Sequence, residues 1–244
     1  MPESAVRPAG TGADGATASL ERLRTALAAG GLGLGVAGAD DPAAEPAGPR
    51  EAEAARPMPP RRRREFLAGR LAARRAFRAV GAECGEIPRA GRAPVFPPGS
   101  RASISHSAGL AVAVVSGERR AGPVGCDLEL RPLPAAAARL VLDPTETAWT
   151  HAAGEAEAAA RLLVLFSAKE AAWKAWQPSA APERAGGTGG RAAGAPPVRG
   201  PRTLRALHAR CHEHGVRVED GGAALLVGVR PVAGGVFTWV VGPA

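Results

Sequence analysis

The stretch Leu165-Phe-Ser-Ala-Lys-Glu-Ala-Ala-Trp-Lys-Ala-Trp176 holds both lysines of the chain, Lys169 and Lys174; elsewhere the fixed positive charge is carried by arginine. Arginine throughout is the pattern of a GC-rich coding sequence, so a lysine retained here marks a place where a wide planar guanidinium would not serve. The apolar spacing predicts a helix from Glu155 to Trp176, ended by Pro178, and a shorter one from about Pro144 to Trp149. Ser167 and Glu170 have the Ser-x-x-Glu spacing of a capping box, and Glu170 and Lys174 stand one turn apart. Those pairings explain Glu170 and Lys174 as helix stabilisers. They leave Lys169 unexplained.

Upstream lies Gly125-Cys-Asp-Leu-Glu129. Two carboxylates two residues apart in a strand pattern leave the same face. Mg²⁺ commonly takes one or two such carboxylates plus substrate phosphates. The competing reading is a solvated strand face with two exposed carboxylates. The preceding glycine favours the first, since it allows close backbone approach. His106, between Ser105 and Ser107 at the end of a short apolar strand, reads on its own as a hydrogen-bonded structural histidine. Over Arg61 to Val80 the spacing is helical, with Phe66, Ala73, Phe77 and Val80 on one face and Arg70, Arg74 and Arg78 recurring on another. Such a stripe is ordinarily a solvated face, although Arg70 and Arg74 also suit a phosphate clamp. Gly81 stops the helix.

Three strands are expected at Arg101–Ser107, Leu110–Ser116 and Val124–Arg131. The tail reads as a helix over Leu204–His214 and then a hairpin of Ala223–Val229 with Gly235–Val241. A short helix is expected at Ser19–Ala29 after a disordered N-terminus, 1–16. The Gly30–Gly35 run resembles a phosphate loop only superficially, because the Lys-Ser/Thr ending is missing. Residues 179–202, rich in glycine and proline without apolar periodicity, read as a flexible insertion. The net charge of +8 includes the run Arg61–Arg64 and favours an anionic partner. A nucleic-acid partner is disfavoured, since the chain has no tyrosine and few aromatic side chains to stack bases. Three cysteines without metal-ligand spacing argue against a disulfide framework or zinc site. No apolar run reaches the length of a membrane span, and no signal peptide is read, so a cytoplasmic protein is expected.

The motifs in order carry more information than any one of them. The chain reads Arg63-Arg-Glu-Phe-Leu-Ala-Gly-Arg70-Leu-Ala-Ala-Arg74, Arg92-Ala-Pro-Val-Phe-Pro97, Ser103-Ile-Ser-His-Ser107, Gly125-Cys-Asp-Leu-Glu129 and Phe166-Ser-Ala-Lys-Glu-Ala-Ala-Trp-Lys174. Over residues 20–178 this resembles the 4′-phosphopantetheinyl transferase superfamily of the monomeric surfactin- and enterobactin-synthase type, with its G-x-D-x-E and (F/W)-(S/C/T)-x-K-E-(A/S)-x-x-K signatures. The resemblance implies an α+β, pseudo-symmetric fold of two halves, 17–130 and 131–244, each a small, mainly antiparallel sheet with a packed helix. It implies transfer of the phosphopantetheine arm of coenzyme A to a serine of an acyl or peptidyl carrier protein, with Mg²⁺ and release of adenosine 3′,5′-bisphosphate. It assigns Asp127, Glu129 and Glu170 to the metal and Glu170 and Lys174 to catalysis. Arg62 or Arg63, Arg70, Arg74, Arg92, His106 and Lys169 fall at positions for coenzyme A phosphates. The family's aromatic-x-Asp segment after the lysine helix has no match between Gln177 and Arg217. A non-catalytic relative that binds coenzyme A or a carrier is the alternative.

Overall fold

The computed structural model describes residues 12–117, 120, 122–177 and 203–244. The expected insertion at 179–202 and the first eleven residues of the expected disordered N-terminus lie outside them. Residues 12–16 are helical. The elements run α1 (Gly12–Ala29), β1 (Leu32–Gly38), α2 (Pro49–Ala55), α3 (Pro60–Ala79), β2 (Arg89–Ala90), β3 (Ala93–Pro94), β4 (Ala102–Ser107), β5 (Leu110–Ser116) and β6 (Cys126–Glu129). They continue with α4 (Ala138–Val141), α5 (Pro144–His151), α6 (Glu155–Trp176), β7 (His208–His212), β8 (Gly215–Asp220), β9 (Ala223–Val232) and β10 (Gly235–Pro243).

Two antiparallel sheets result, β1-β5-β4 and β6-β10-β9-β8-β7, with a short β2-β3 ladder apart. β5 explains the first sheet's placement. Leu110, Val112 and Val114 face one core while Ala111, Ala113 and Val115 face another, so the strand reads as an unbroken apolar run. The small alanines meet α3 through Ala68, Ala72, Ala73 and Ala76. The larger side chains join Leu20, Leu23 and Leu27 of α1 and Cys126, Leu128 and Phe237 of the second sheet in one shared core. The other face of the second sheet packs on α6, where Leu162, Leu165, Ala168 and Ala172 meet Val216, Val218, Leu225 and Val227.

The glycine run spans the turn after α1, at Gly30 and Gly31, and the start of β1. A Cβ on Gly33 would lie 2.2 Å from the Ala76 carbonyl oxygen, and one on Gly35 2.0 Å from that of Ala72, so α3 rests directly on the strand backbone. The tail differs from its expected form in one place. Leu204–His214 is a 3₁₀ turn at Leu204–Ala206 followed by β7, because Ala209, Val216 and Val218 bury at the two-residue period of a β7-β8 hairpin. The 223–229 and 235–241 hairpin forms, somewhat longer than expected. The second half is therefore a full five-strand sheet despite the unmatched aromatic-x-Asp segment. β6 pairs with β10, so 126–129 are part of the second sheet.

The free edge of β6 meets the free edge of β4 without a backbone ladder. Ser103 Oγ accepts from Cys126 N at 3.1 Å, and Ser107 Oγ accepts from Leu130 N at 3.0 Å, so serine hydroxyls satisfy donors that a strand partner would otherwise take. α6 closes on β6 as β1 does on α3, since a Cβ on Gly125 would lie 1.9 Å from the Ala171 carbonyl oxygen. Gly125→Ala is expected to destabilise the protein by about 1–3 kcal/mol or more through this overlap. Gly85→Ala, in open space, should stay within about 0.5 kcal/mol. Urea midpoints of the two variants against the parent measure the difference.

Candidate functional site

Asp127 and Glu129 leave β6 on the face that meets β4 and α6. The site is built from that junction. Asp127 is buried, not exposed as a solvated strand face would have it. Its Oδ1 accepts from Lys174 Nζ at 2.6 Å and from Ser105 Oγ at 2.8 Å, and its Oδ2 accepts from Ser167 Oγ at 2.9 Å. Lys174 Nζ also donates to the Cys126 carbonyl at 3.2 Å and lies 4.0 Å from Glu170. Ser107 Oγ donates to Glu129 at 3.3 Å.

The electrostatics bind these groups into one cluster. Burial pushes the Glu129 carboxyl up to about 7, and the Asp127 and Glu170 charges push the same way. Burial also raises Glu170, with Asp127 adding to the rise and Lys174 opposing it. Burial disfavours the Lys174 ammonium, yet Asp127, Cys126 and Glu170 outweigh it and hold the group above the usual lysine range. Among the described residues no group of three or more histidine, cysteine, aspartate or glutamate side chains is placed to hold a metal ion. The carboxylate charges do repel one another, Asp127 and Glu170 raising Glu129 and Asp127 raising Glu170, a repulsion that an added cation relieves. Their hard oxygen donors suit Mg²⁺, which leaves most of its shell to water and phosphate.

Beside Lys174 opens a cleft of about 670 Å³ between the two halves. Arg92, Arg101 and Lys174 supply positive charge to its wall, and Phe96, Ile104 and Trp173 supply apolar surface. Other expected phosphate ligands are placed differently. Arg62 Nη1 lies 2.8 Å from His106 Nε2; loss of hydration around the ring and the Arg62 charge hold His106 below the usual histidine range. Arg63 is exposed. Arg70 belongs to no solvated face: it is buried, donates from Nε to the Ile87 carbonyl at 3.1 Å and stacks on Phe66, and burial pushes it down to about 10. Arg74 is committed to Glu51, with Nη1 at 3.0 and 3.1 Å from the two carboxylate oxygens. Glu51 is wholly buried and accepts from the backbone of Ala47 and Ile87 as well, so Arg74 completes a structural network around it.

Lys169 leaves the helix on another side from Lys174. Its side chain is 0% exposed, and Nζ donates to Glu146 at 2.6 Å and to the Val141 carbonyl at 2.7 Å. Where a coenzyme A phosphate contact was expected, the enclosed Lys169 ammonium makes a buried ion pair that ties α6 to α5. The capping box is also elsewhere. Ser167 lies deep inside α6, whereas Asp143 and Glu146 exchange both bonds of a capping box at the start of α5. Glu51 was not singled out from sequence, and Ser105 and Ser167 were read as a neighbour of His106 and as a helix cap, not as partners of Asp127. The serines had one signal, hydroxyls at every second position of Ser103–Ser107, which an apolar strand would not carry without partners.

Residues 50–116 match the family model described as the 4′-phosphopantetheinyl transferase N-terminal domain, and 123–186 match that of the 4′-phosphopantetheinyl transferase superfamily. The chain is 36% identical over 120 residues to the 4′-phosphopantetheinyl transferase Npt of Nocardia iowensis, covering 48% of this chain and 53% of that protein. It is 35% identical over 127 residues to the 4′-phosphopantetheinyl transferase Svp of Streptomyces mobaraensis, covering 49% and 50%. It is 39% identical over 120 residues to enterobactin synthase component D of Escherichia coli K12, covering 47% and 55%. The chain spans about half the length of the curated relatives it matches. The two family models together cover more than half of the chain, one on each side of the β4-β6 seam and the second including the whole carboxylate cluster, and the chain belongs to the 4′-phosphopantetheinyl transferase superfamily.

Proposed function

We propose that this protein transfers the phosphopantetheine arm of coenzyme A to a serine of an acyl or peptidyl carrier protein and releases adenosine 3′,5′-bisphosphate. The observation that carries the reading is the cluster of Asp127, Glu129, Glu170 and Lys174, of which Lys174 also lines a cleft walled by both cations and apolar surface. Coenzyme A has a phosphate-bearing end and a long neutral arm, and the cleft's mixed lining suits both. Arg92 faces it for the phosphates, with Arg62 and His106 nearby on the first half. The relatives' names support the same reaction class.

The carrier serine attacks the phosphorus that bears the pantetheine arm, and the bond to the departing bisphosphate breaks. Glu170, raised by burial, is poised to take the serine proton. Lys174 holds its charge against burial and is placed to neutralise the oxygen anion that leaves. Asp127, Glu129 and Glu170 are the residues that would hold Mg²⁺. When bound, that ion supplies charge neutralisation at the pyrophosphate. The same reading makes the protein a monomer working in the cytoplasm, in keeping with its free cysteines. Siderophore or polyketide biosynthesis is the proposed setting.

Three measurements follow. Glu170→Gln should lower turnover of a carrier protein roughly 10²-fold or more, the scale of a lost general base, while melting shifts little because no capping box depends on it. Mass spectrometry of the carrier and a thermal melt read the two; near-parent turnover removes Glu170 from catalysis. Arg92→Ala should raise the KM for coenzyme A about tenfold or more, the usual scale of a lost charge-assisted contact, with circular dichroism unchanged. In metal-free protein, native Glu129 keeps its proton up to about 7 whereas the unfolded chain loses it near 4.5. The native state thus binds more protons between those values, and stability falls as pH rises through them. Urea midpoints at successive pH values should show a shallower fall in Glu129→Gln than in the parent.

A further inference from the structure

Ser167 spends its hydroxyl in an unusual way for a serine in a helix. Such a serine commonly bonds back to the carbonyl one turn earlier or points to solvent. Ser167 is fully buried, and its hydroxyl crosses from α6 to Asp127 Oδ2 at 2.9 Å. Behind it stands Thr238, also fully buried, with Oγ1 3.0 Å from Ser167 Oγ and 2.9 Å from the Ser167 carbonyl oxygen, to which it donates. Thr238 is the β10 residue registered opposite Asp127. The proton order follows from chemistry. An ionised carboxylate only accepts, so the single Ser167 proton goes to Asp127, and the Thr238 proton is directed at Ser167. Asp127 is thereby held on Oδ2 from α6, while Oδ1 is held by Ser105 and Lys174.

We propose that Ser167, backed by Thr238, is a positioning residue of the site: it fixes the orientation of the Asp127 carboxylate on which both the Lys174 ion pair and divalent-cation binding depend. Outer partners of metal-binding carboxylates carry effects of about 10–100-fold in metal affinity. The cation part rests on the transferase reading; the Lys174 part stands on the geometry alone.

The chain's two lysines make the test direct. With ¹⁵Nζ-lysine labelling, the full-length protein has two ammonium resonances, and the enclosed Lys169 reports whether α5 and α6 remain packed. Ser167→Ala is expected to weaken Mn²⁺ binding about tenfold and to broaden or abolish the Lys174 ammonium signal at fixed pH, with the Lys169 signal in place. Ser167→Thr, which retains the hydroxyl, should restore both. Parent-like Mn²⁺ affinity and an unchanged Lys174 signal in Ser167→Ala overturn the proposal. If the Lys169 signal is lost in that variant, Thr238→Val carries the test: the same change in smaller degree supports the proposal, and no change at Lys174 overturns it. If the parent itself binds no Mn²⁺, the cation reading falls, and the Lys174 signal alone decides the role of Ser167.

Discussion

The apposition of β4 and β6 is the contact on which the rest of the site depends. Two sheets whose edges meet side by side ordinarily merge through a shared backbone ladder, because an open edge leaves N–H and C=O groups without partners. Here hydroxyls from Ser103 and Ser107 take the β6 donors, and Ser105 is left to reach Asp127. The sheets stay distinct, so a cleft can open beside their junction. Carboxylates from one half and hydroxyls from the other meet across it.

Burial and charge compensation then divide the labour of one helix. Lys169 and Lys174 are five residues apart, which places them on different sides of α6. One is sealed against Glu146 and has no exposure, a pair whose disruption would strand a buried charge. The other keeps partial access to solvent and touches Asp127, Ser105 and the cleft. Two residues of the same type, with the same retained chemistry in the sequence, serve packing and the site respectively.

Most of the architecture was legible because the apolar spacing of β4, β5, α3, α5 and α6 is undisturbed. β1 was not, since glycines placed for helix contact remove the side chains by which a strand is read. β7 was read as part of a helix over Leu204–His214 because its polar edge carries little alternation. In the site, Asp127, Glu129, Glu170 and Lys174 were legible from motif order, and their convergence follows from Gly125 letting α6 descend on β6. The ion pairs of Arg74 and Lys169 were not legible for one shared reason: their carboxylate partners, Glu51 and Glu146, are distant in sequence and are brought to them only by tertiary packing. Spacing along a helix shows which face a cation occupies, but not who waits there.

The place of β6 in its sheet bears on how the protein is made. Its backbone ladder partner is β10, synthesised roughly a hundred residues later, so a chain emerging from the ribosome carries its carboxylate strand long before that strand has a neighbour to pair with. The first sheet, in contrast, has all of its strands within residues 32–116 and is free to fold as it emerges. The candidate site is therefore a late product of synthesis, closed by a long-range strand pairing of the slow kind. Nascent chains stalled before β10 would display the motif without the machinery.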